Sequence, residues 1–190
     1  LAVCLIHAYC NPEHEKRVGE IAGQIGFGSV CLSHGVAPMI KAVSRGETTV
    51  VDAYLTPIVQ GYIQRVREQF QQTDSDAMMV MSSAGGLVPA EQYRGRDSVL
   101  SGPAGGAVAL QAISKSVGIS PLIGLDMGGT SADVGMVLDG ELRHTTEYEI
   151  EWGVPAAIPR GYPRCCASPP GSGVHSAHCS AGAWRAARSC

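Results

Sequence analysis

Apolar positions along the chain follow two rhythms, and the change between them marks the elements. The stretch 1–9, LAVCLIHAY, is almost unbroken apolar sequence and predicts a buried strand. Asn11 then offers a cap, Pro12 a first helical position, and Glu13 and Glu15 an acidic first turn. The apolar stripe Val18, Ile21, Ala22, Ile25 follows and stops at Gly26. A second short run, SVCLS at 29–33, completes a β-α-β opening with a parallel pair, and His34 sits just past it.

From Thr48 to Phe70 apolar residues recur at helical spacing through Val51, Tyr54, Leu55, Ile58, Val59, Tyr62, Ile63 and Val66, with Pro57 expected to kink or split the helix. Beyond the polar linker QQTDSD comes a strand, AMMVM, then a loop, SSAGGLVP. SGPAGGAVALQAIS reads as a turn continuing into an Ala-rich helix. LIGLDM and DVGMVLDG read as two strands, Asp139-Gly140 is a two-residue hairpin signal, and ELRHTTEYEI reads as a third strand. The glycine-rich turn GGTSA therefore joins strand to strand.

The stretch 161–190 contains no Asp, Glu, Lys, Leu, Ile, Met or Phe, so it is expected to lack a packed structure and to be a non-homologous tail, an out-of-frame or wrongly joined continuation. Its Cys165, Cys166, His175, His178 and Cys179 fit zinc spacing poorly. Cys4, Cys10 and Cys31 lie singly in apolar surroundings, as buried thiols do.

Composition narrows the function classes. In 190 residues, 45% are apolar and 16% charged, which suits one globular domain. A net charge of −3 with no basic run argues against nucleic acid or membrane partners, and no apolar run reaches a membrane span. The opening lacks a signal-peptide pattern, so a cytoplasmic location is expected. A chain that starts without Met, inside an apolar strand, reads as a fragment of something longer.

The chemistry concentrates at 124–140, GLDMGGTSADVGMVLDG. A P-loop or dinucleotide fingerprint needs a helix directly after its glycines, and here a strand follows. Two readings remain open: a phosphate-binding hairpin, or an ordinary turn whose Asp and Thr cap their own backbone. In the first, Gly128 and Gly129 allow close approach and the amides through Thr130 and Ser131 face phosphate oxygens. Asp126 would then hold a Mg²⁺ water or orient a nucleophile, with Asp133 pointing to the same region. Ser82, Ser83, Gly85 and Gly86 form a lesser candidate, a substrate or anion loop. His14 reads as solvent-facing, and His34 as a structural residue at a strand end where ligands also bind.

DMGGTSADVG resembles the second phosphate motif of the hydantoinase A and 5-oxoprolinase family, in the actin-like ATPase superfamily. NPEHE, LSHGVAP, TTVVDAYLTPI, SSAGGLVP, SGPAGGAVA and EWGVPAAIP resemble family segments in the same order across 1–159. The resemblance implies an α/β fold: a partial actin-like ATPase (ribonuclease H-like) domain with a mixed sheet, a β-α-β opening and a phosphate-binding β-hairpin. It places 1–48 at the end of the family's N-terminal domain, 49–160 at the start of its hydantoinase A domain, and 161–190 outside both. The first phosphate hairpin and the stretch after GVPAAIP are absent. Ala132 stands where the family usually has Thr, and Gly35 and Gly46 replace bulkier residues.

The function so implied is ATP-dependent opening of a cyclic amide, a hydantoin or 5-oxoproline, by phosphorylation of the amide oxygen. ATP and Mg²⁺ take part, Mg²⁺ at Asp126, and Asp126 and Asp133 are the catalytic residues. A hydantoinase B-type subunit or domain and a homo-oligomer are the implied partners. The alternatives are an ATP-dependent ketone carboxylase and a non-enzymatic actin-like nucleotide-binding module. With one phosphate hairpin missing, the 190-residue chain is expected to be inactive alone.

Overall fold

The structure, a computed structural model, describes residues 1–70, 78–128, 132–142, 144–151, 154–163 and 165–167, the last three ranges as strand backbone. Strand β1 (Ala2–Val3) pairs in parallel with β2 (Cys31–Leu32) across helix α1 (Glu13–Ile25), so the β-α-β opening forms as the pattern predicts. The first strand is far shorter than the apolar run. At Leu5 and Ile6 the main chain leaves the sheet, because the Leu5 amide donates to Glu15 and the carbonyls of Leu5 and Ile6 accept from Arg45. Pro12 occupies the N-cap of α1, and Asn11 Oδ1 accepts from the Glu13 amide at 3.2 Å. Gly26 closes the helix at φ 102°, a left-handed conformation natural to glycine. Of the expected buried stripe only Ala22 is buried. The fully buried residue of α1's first turn is Glu15, one of the two acids expected there.

A short helix α2 (Ser33–Val36) leads to α3 (Ala42–Gln69), which starts six residues before Thr48 and runs through Pro57 without splitting. Tertiary hydrogen bonds hold the turn before Pro57: Thr56 Oγ1 donates to Asp52 at 3.1 Å and accepts from the Gly95 amide at 2.9 Å. Helix α3 is inside-out. Its buried positions are Arg45, Thr48, Thr49, Asp52, Thr56 and Ile63, while Val43, Val50, Tyr54, Ile58 and Tyr62 are each more than half exposed. The apolar spacing identifies the helix correctly, but much of its stripe faces outward.

SSAGGLVP is a hairpin rather than a plain loop: β3 (Met79–Met81) pairs antiparallel with β4 (Leu87–Pro89), and Gly85 supplies the positive φ of the turn. Ile63 of α3, Ala90 and Tyr93 form a small core under this hairpin. Helix α4 (Gly95–Ser98) packs so closely on α3 that a Cβ at Gly95 would sit 2.6 Å from Leu55 Cβ and from the Thr56 amide nitrogen. Helix α5 (Ser101–Val117) is already helical at Ser101, the turn falling just before it at Val99 and Leu100, and it ends at left-handed Gly118.

Strands β5 (Leu122–Met127) and β6 (Ala132–Leu138) form the antiparallel ladder foreseen for the glycine-rich segment, in register from Leu122↔Val137 to Met127↔Ala132. Asp139 and Gly140, at φ 54° and 74°, make the tight turn into β7 (Glu141–Leu142). The third strand does not continue along β6. β7 uses only the Val137–Leu138 end of that edge, and β10 (Cys165–Ala167) occupies the rest, pairing with Asp133 to Gly135. β8 (His144–Glu151) pairs with β9 (Val154–Pro163) instead. Strand therefore continues into the segment expected to lack it, through 161–163 and 165–167, while the other tail residues lie outside the described ones. The parallel pair β1–β2 and the antiparallel strands belong to separate sheets, so no mixed sheet forms among the described residues.

Candidate functional site

Register and alternation place Leu122, Gly124 and Asp126 of β5 on the same face as Val137, Gly135 and Asp133 of β6. Helix α5 covers the apolar part of that face through Ala107, Val108 and Leu110. Gly124 and Gly135 make this possible: a Cβ on either would stand 2.9 Å and 3.3 Å from the Leu110 side chain. At the other end of the ladder Gln111 reaches Gly140 and Glu141, and Lys115 reaches Glu141. The C-terminal half of α5 thus lies over the β6–β7 turn, and its N-terminal half runs toward the carboxylate end.

There Asp126 and Asp133 are direct cross-strand partners at the mouth of the glycine-rich turn. Asp126 is exposed and Asp133 half-buried. Burial, with repulsion from Asp126 added, raises the Asp133 carboxyl above the ordinary aspartate range. Paired carboxylates facing one side suit a hard cation, which prefers oxygen ligands. Gly128 follows β5 directly; Gly129, Thr130 and Ser131, the expected phosphate-binding residues, lie outside the described residues.

The Ser82–Gly86 loop is built into the fold. Ser82 Oγ donates to the Gly86 carbonyl at 2.9 Å. Ser83, fully buried, donates to the Asp97 carbonyl at 2.7 Å and accepts from the Leu100 amide at 2.9 Å, tying the β3–β4 hairpin to the start of α5. Both hydroxyls already have partners. Asp97, pushed up by burial, accepts from the Arg94 amide at the start of α4.

Sequence reasoning missed a buried polar cluster where α1, α2 and α3 meet. Glu15 accepts from Ser33 Oγ and from the His34 amide and ring, and Arg45 Nε donates to the same Ser33 oxygen at 3.0 Å. The remaining Arg45 nitrogens satisfy the carbonyls of Met39, Leu5 and Ile6, and its guanidinium lies over Tyr9, 5.7 Å from the ring centroid. A signal was present: polar residues at 45, 48, 49, 52 and 56 trace one helical face.

No helix among the described residues is long and apolar enough to cross a membrane. The profile of the hydantoinase/oxoprolinase family matches residues 45–175, starting inside α3, which itself runs through the position 48 boundary read from sequence. The 5-oxoprolinase of Dictyostelium discoideum is 45% identical over 164 residues, covering 79% of this chain and 13% of that protein. Caprolactamase subunit alpha of Pseudomonas jessenii is 33% identical over 154 residues, 79% of this chain and 22% of that protein. The crystal structure of the ATP-dependent caprolactamase from that organism superposes with a TM-score of 0.70 at 27% identity, over 87% of this chain and 24% of the other. Nucleotide-free acetone carboxylase gives 0.76 at 22% identity, over 88% and 24%, a likeness of fold alone. The chain spans about an eighth of the length of the Dictyostelium relative. Matched over more than half its residues by the family profile, this α/β chain belongs to the hydantoinase/oxoprolinase family.

Proposed function

We propose that this chain is a segment of an ATP-dependent enzyme that opens a cyclic amide of the 5-oxoproline or hydantoin type. An unactivated amide carbonyl resists water; ATP supplies a phosphoryl group to its oxygen, which makes the carbon open to attack. In this reading the chain contributes one wall of an actin-like cleft, with the turn 128–131 holding phosphate through backbone amides. The observation that carries the reading is the Asp126–Asp133 pair beside that turn, on the face whose apolar part α5 covers.

Asp126 and Asp133 are the residues that would hold Mg²⁺, which neutralises phosphate charge. Burial first and repulsion from Asp126 second raise the Asp133 carboxyl, and a bound cation would offset both. Asp126, the more exposed of the two, orients the attacking water. Since one related enzyme is named as an alpha subunit, a second subunit or domain of the hydantoinase B type is the proposed partner.

The test is ATP hydrolysis by the full-length protein in the presence of 5-oxoproline, hydantoin, caprolactam or acetone. Stimulation by a cyclic amide, lost in Asp126→Asn, supports the reading. Stimulation by acetone with bicarbonate alone assigns carboxylation instead. Hydrolysis indifferent to every small molecule but raised by a protein partner assigns a nucleotide-driven module.

A further inference from the structure

The cluster around Glu15 presents a reactive atom that the β5–β6 site does not use. Glu15 is fully buried. Its Oε1 accepts from the Leu5 amide at 2.8 Å and Ser33 Oγ at 2.5 Å, and its Oε2 from the His34 amide at 3.0 Å and His34 Nδ1 at 2.7 Å. Burial alone would raise this carboxyl, but the donors outweigh it and hold it below the usual glutamate range. An ionised carboxylate only accepts, so Nδ1 carries a proton, and in the neutral ring Nε2 is then the nitrogen with the lone pair. No described residue makes a hydrogen bond to Nε2.

The ring's place favours a ligand. His34 keeps 22% of its side chain exposed and lies just past β2, at the C-terminal end of the parallel pair, where open parallel sheets take ligands. Arg96 reaches the same edge, its Nη1 donating to the Gly35 carbonyl at 3.2 Å. His34 and the Arg96 guanidinium, whose Nε also lies 3.8 Å from Asp97 Oδ1, therefore approach each other at Gly35, and Arg45, through Ser33, fixes the base of the arrangement to α3.

We propose that His34 Nε2 is a binding acceptor for the ring N–H of a cyclic amide that also carries a carboxylate, with Arg96 facing the carboxylate and Glu15 as the positioning residue. This deepens the cyclic-amide reading and rests on it. 5-Oxoproline offers both groups; 2-pyrrolidone lacks the carboxylate and cyclopentanecarboxylate lacks the N–H.

Ring nitrogen NMR on the 190-residue chain should show Nε2 unprotonated at neutral pH and shifting on addition of 5-oxoproline, with the other two compounds at least tenfold weaker. His34→Asn retains an N–H for Glu15 while removing the acceptor at the Nε2 position. In the full-length protein it should raise KM for 5-oxoproline at least tenfold and leave the unfolding midpoint unchanged. A proton on Nε2, or an Asn variant with parental KM, overturns the proposal. Failure of the cyclic-amide reading is separate, because it would appear as no 5-oxoproline-dependent ATP hydrolysis with His34 intact.

Discussion

Asp126 and Asp133 face each other across the β5–β6 ladder, so the ionisation of one is set partly by the other. Asp126→Asn should bring the Asp133 carboxyl down toward its ordinary range, read by carboxyl carbon NMR through a pH titration. In the full-length protein the same change should lower ATP turnover about a hundredfold or more, the scale on which removing a positioned group in phosphoryl transfer acts. An Asp133 titration that does not move would show that burial alone sets it.

Stability should follow the same pair in a definite direction. Because the folded state raises the Asp133 value, its carboxylate form weakens the fold as pH climbs through that range. Asp133→Asn should therefore raise the unfolding midpoint at neutral pH, with the gain vanishing below the ordinary aspartate value.

Glu15 has the opposite sign. Its depressed folded value means that its contribution is fully present above the ordinary glutamate range and is lost as pH falls through the depressed value. Acid unfolding should show this loss, and Glu15→Gln should flatten it at a cost of about 1–3 kcal/mol at neutral pH, the scale for a buried hydrogen-bonding group deprived of its match. Chemical denaturation at a series of pH values measures both.

Gly124→Ala should destabilise by about 1–3 kcal/mol, because the new methyl meets Leu110 at 2.9 Å in a packed layer. Gly135→Ala, at 3.3 Å from the same side chain, should cost less. Gly106→Ala, with nothing within 4 Å, should stabilise α5 by about 0.5–1 kcal/mol. If the three variants unfold alike, α5 does not pack as described.

Arg45→Met should cost about 3–5 kcal/mol, the range for removing one member of a buried polar network and stranding its partners. Equal stability of the variant would mean that α3 and the β-α-β opening are not joined through this side chain.

Local signals were legible where one residue type decides the backbone. Gly26 and the Asp139–Gly140 pair ended elements where expected, and the apolar runs on either side of the glycine-rich segment gave β5 and β6. Asp126 and Asp133 were legible as a pair because antiparallel register about a short turn brings them opposite. What stayed hidden depended on long-range partners. Glu15 looks like any acid in a first helical turn until Ser33 and His34 close over it. Leu5 and Ile6 look like strand until Arg45, some forty residues away, takes their carbonyls. The loop serines resemble ligand-binding hydroxyls until Asp97 and Leu100 claim one of them.

Over its first half helix α3 is joined to its neighbours by directional bonds, Arg45 to Ser33 near one end and Thr56 to Gly95 further along, and only beyond them does Ile63 pack in an apolar core. A greasy face can slide or roll with little loss; a row of hydrogen bonds cannot, since a turn of one residue about the axis would break all of them together. At 28 residues and a rise of 1.5 Å each, α3 is a shaft of about 42 Å, keyed at both fittings. A rotation of α3 imposed at the β-α-β opening would therefore have to distort the Thr56–Gly95 bond at the head of α4 as well.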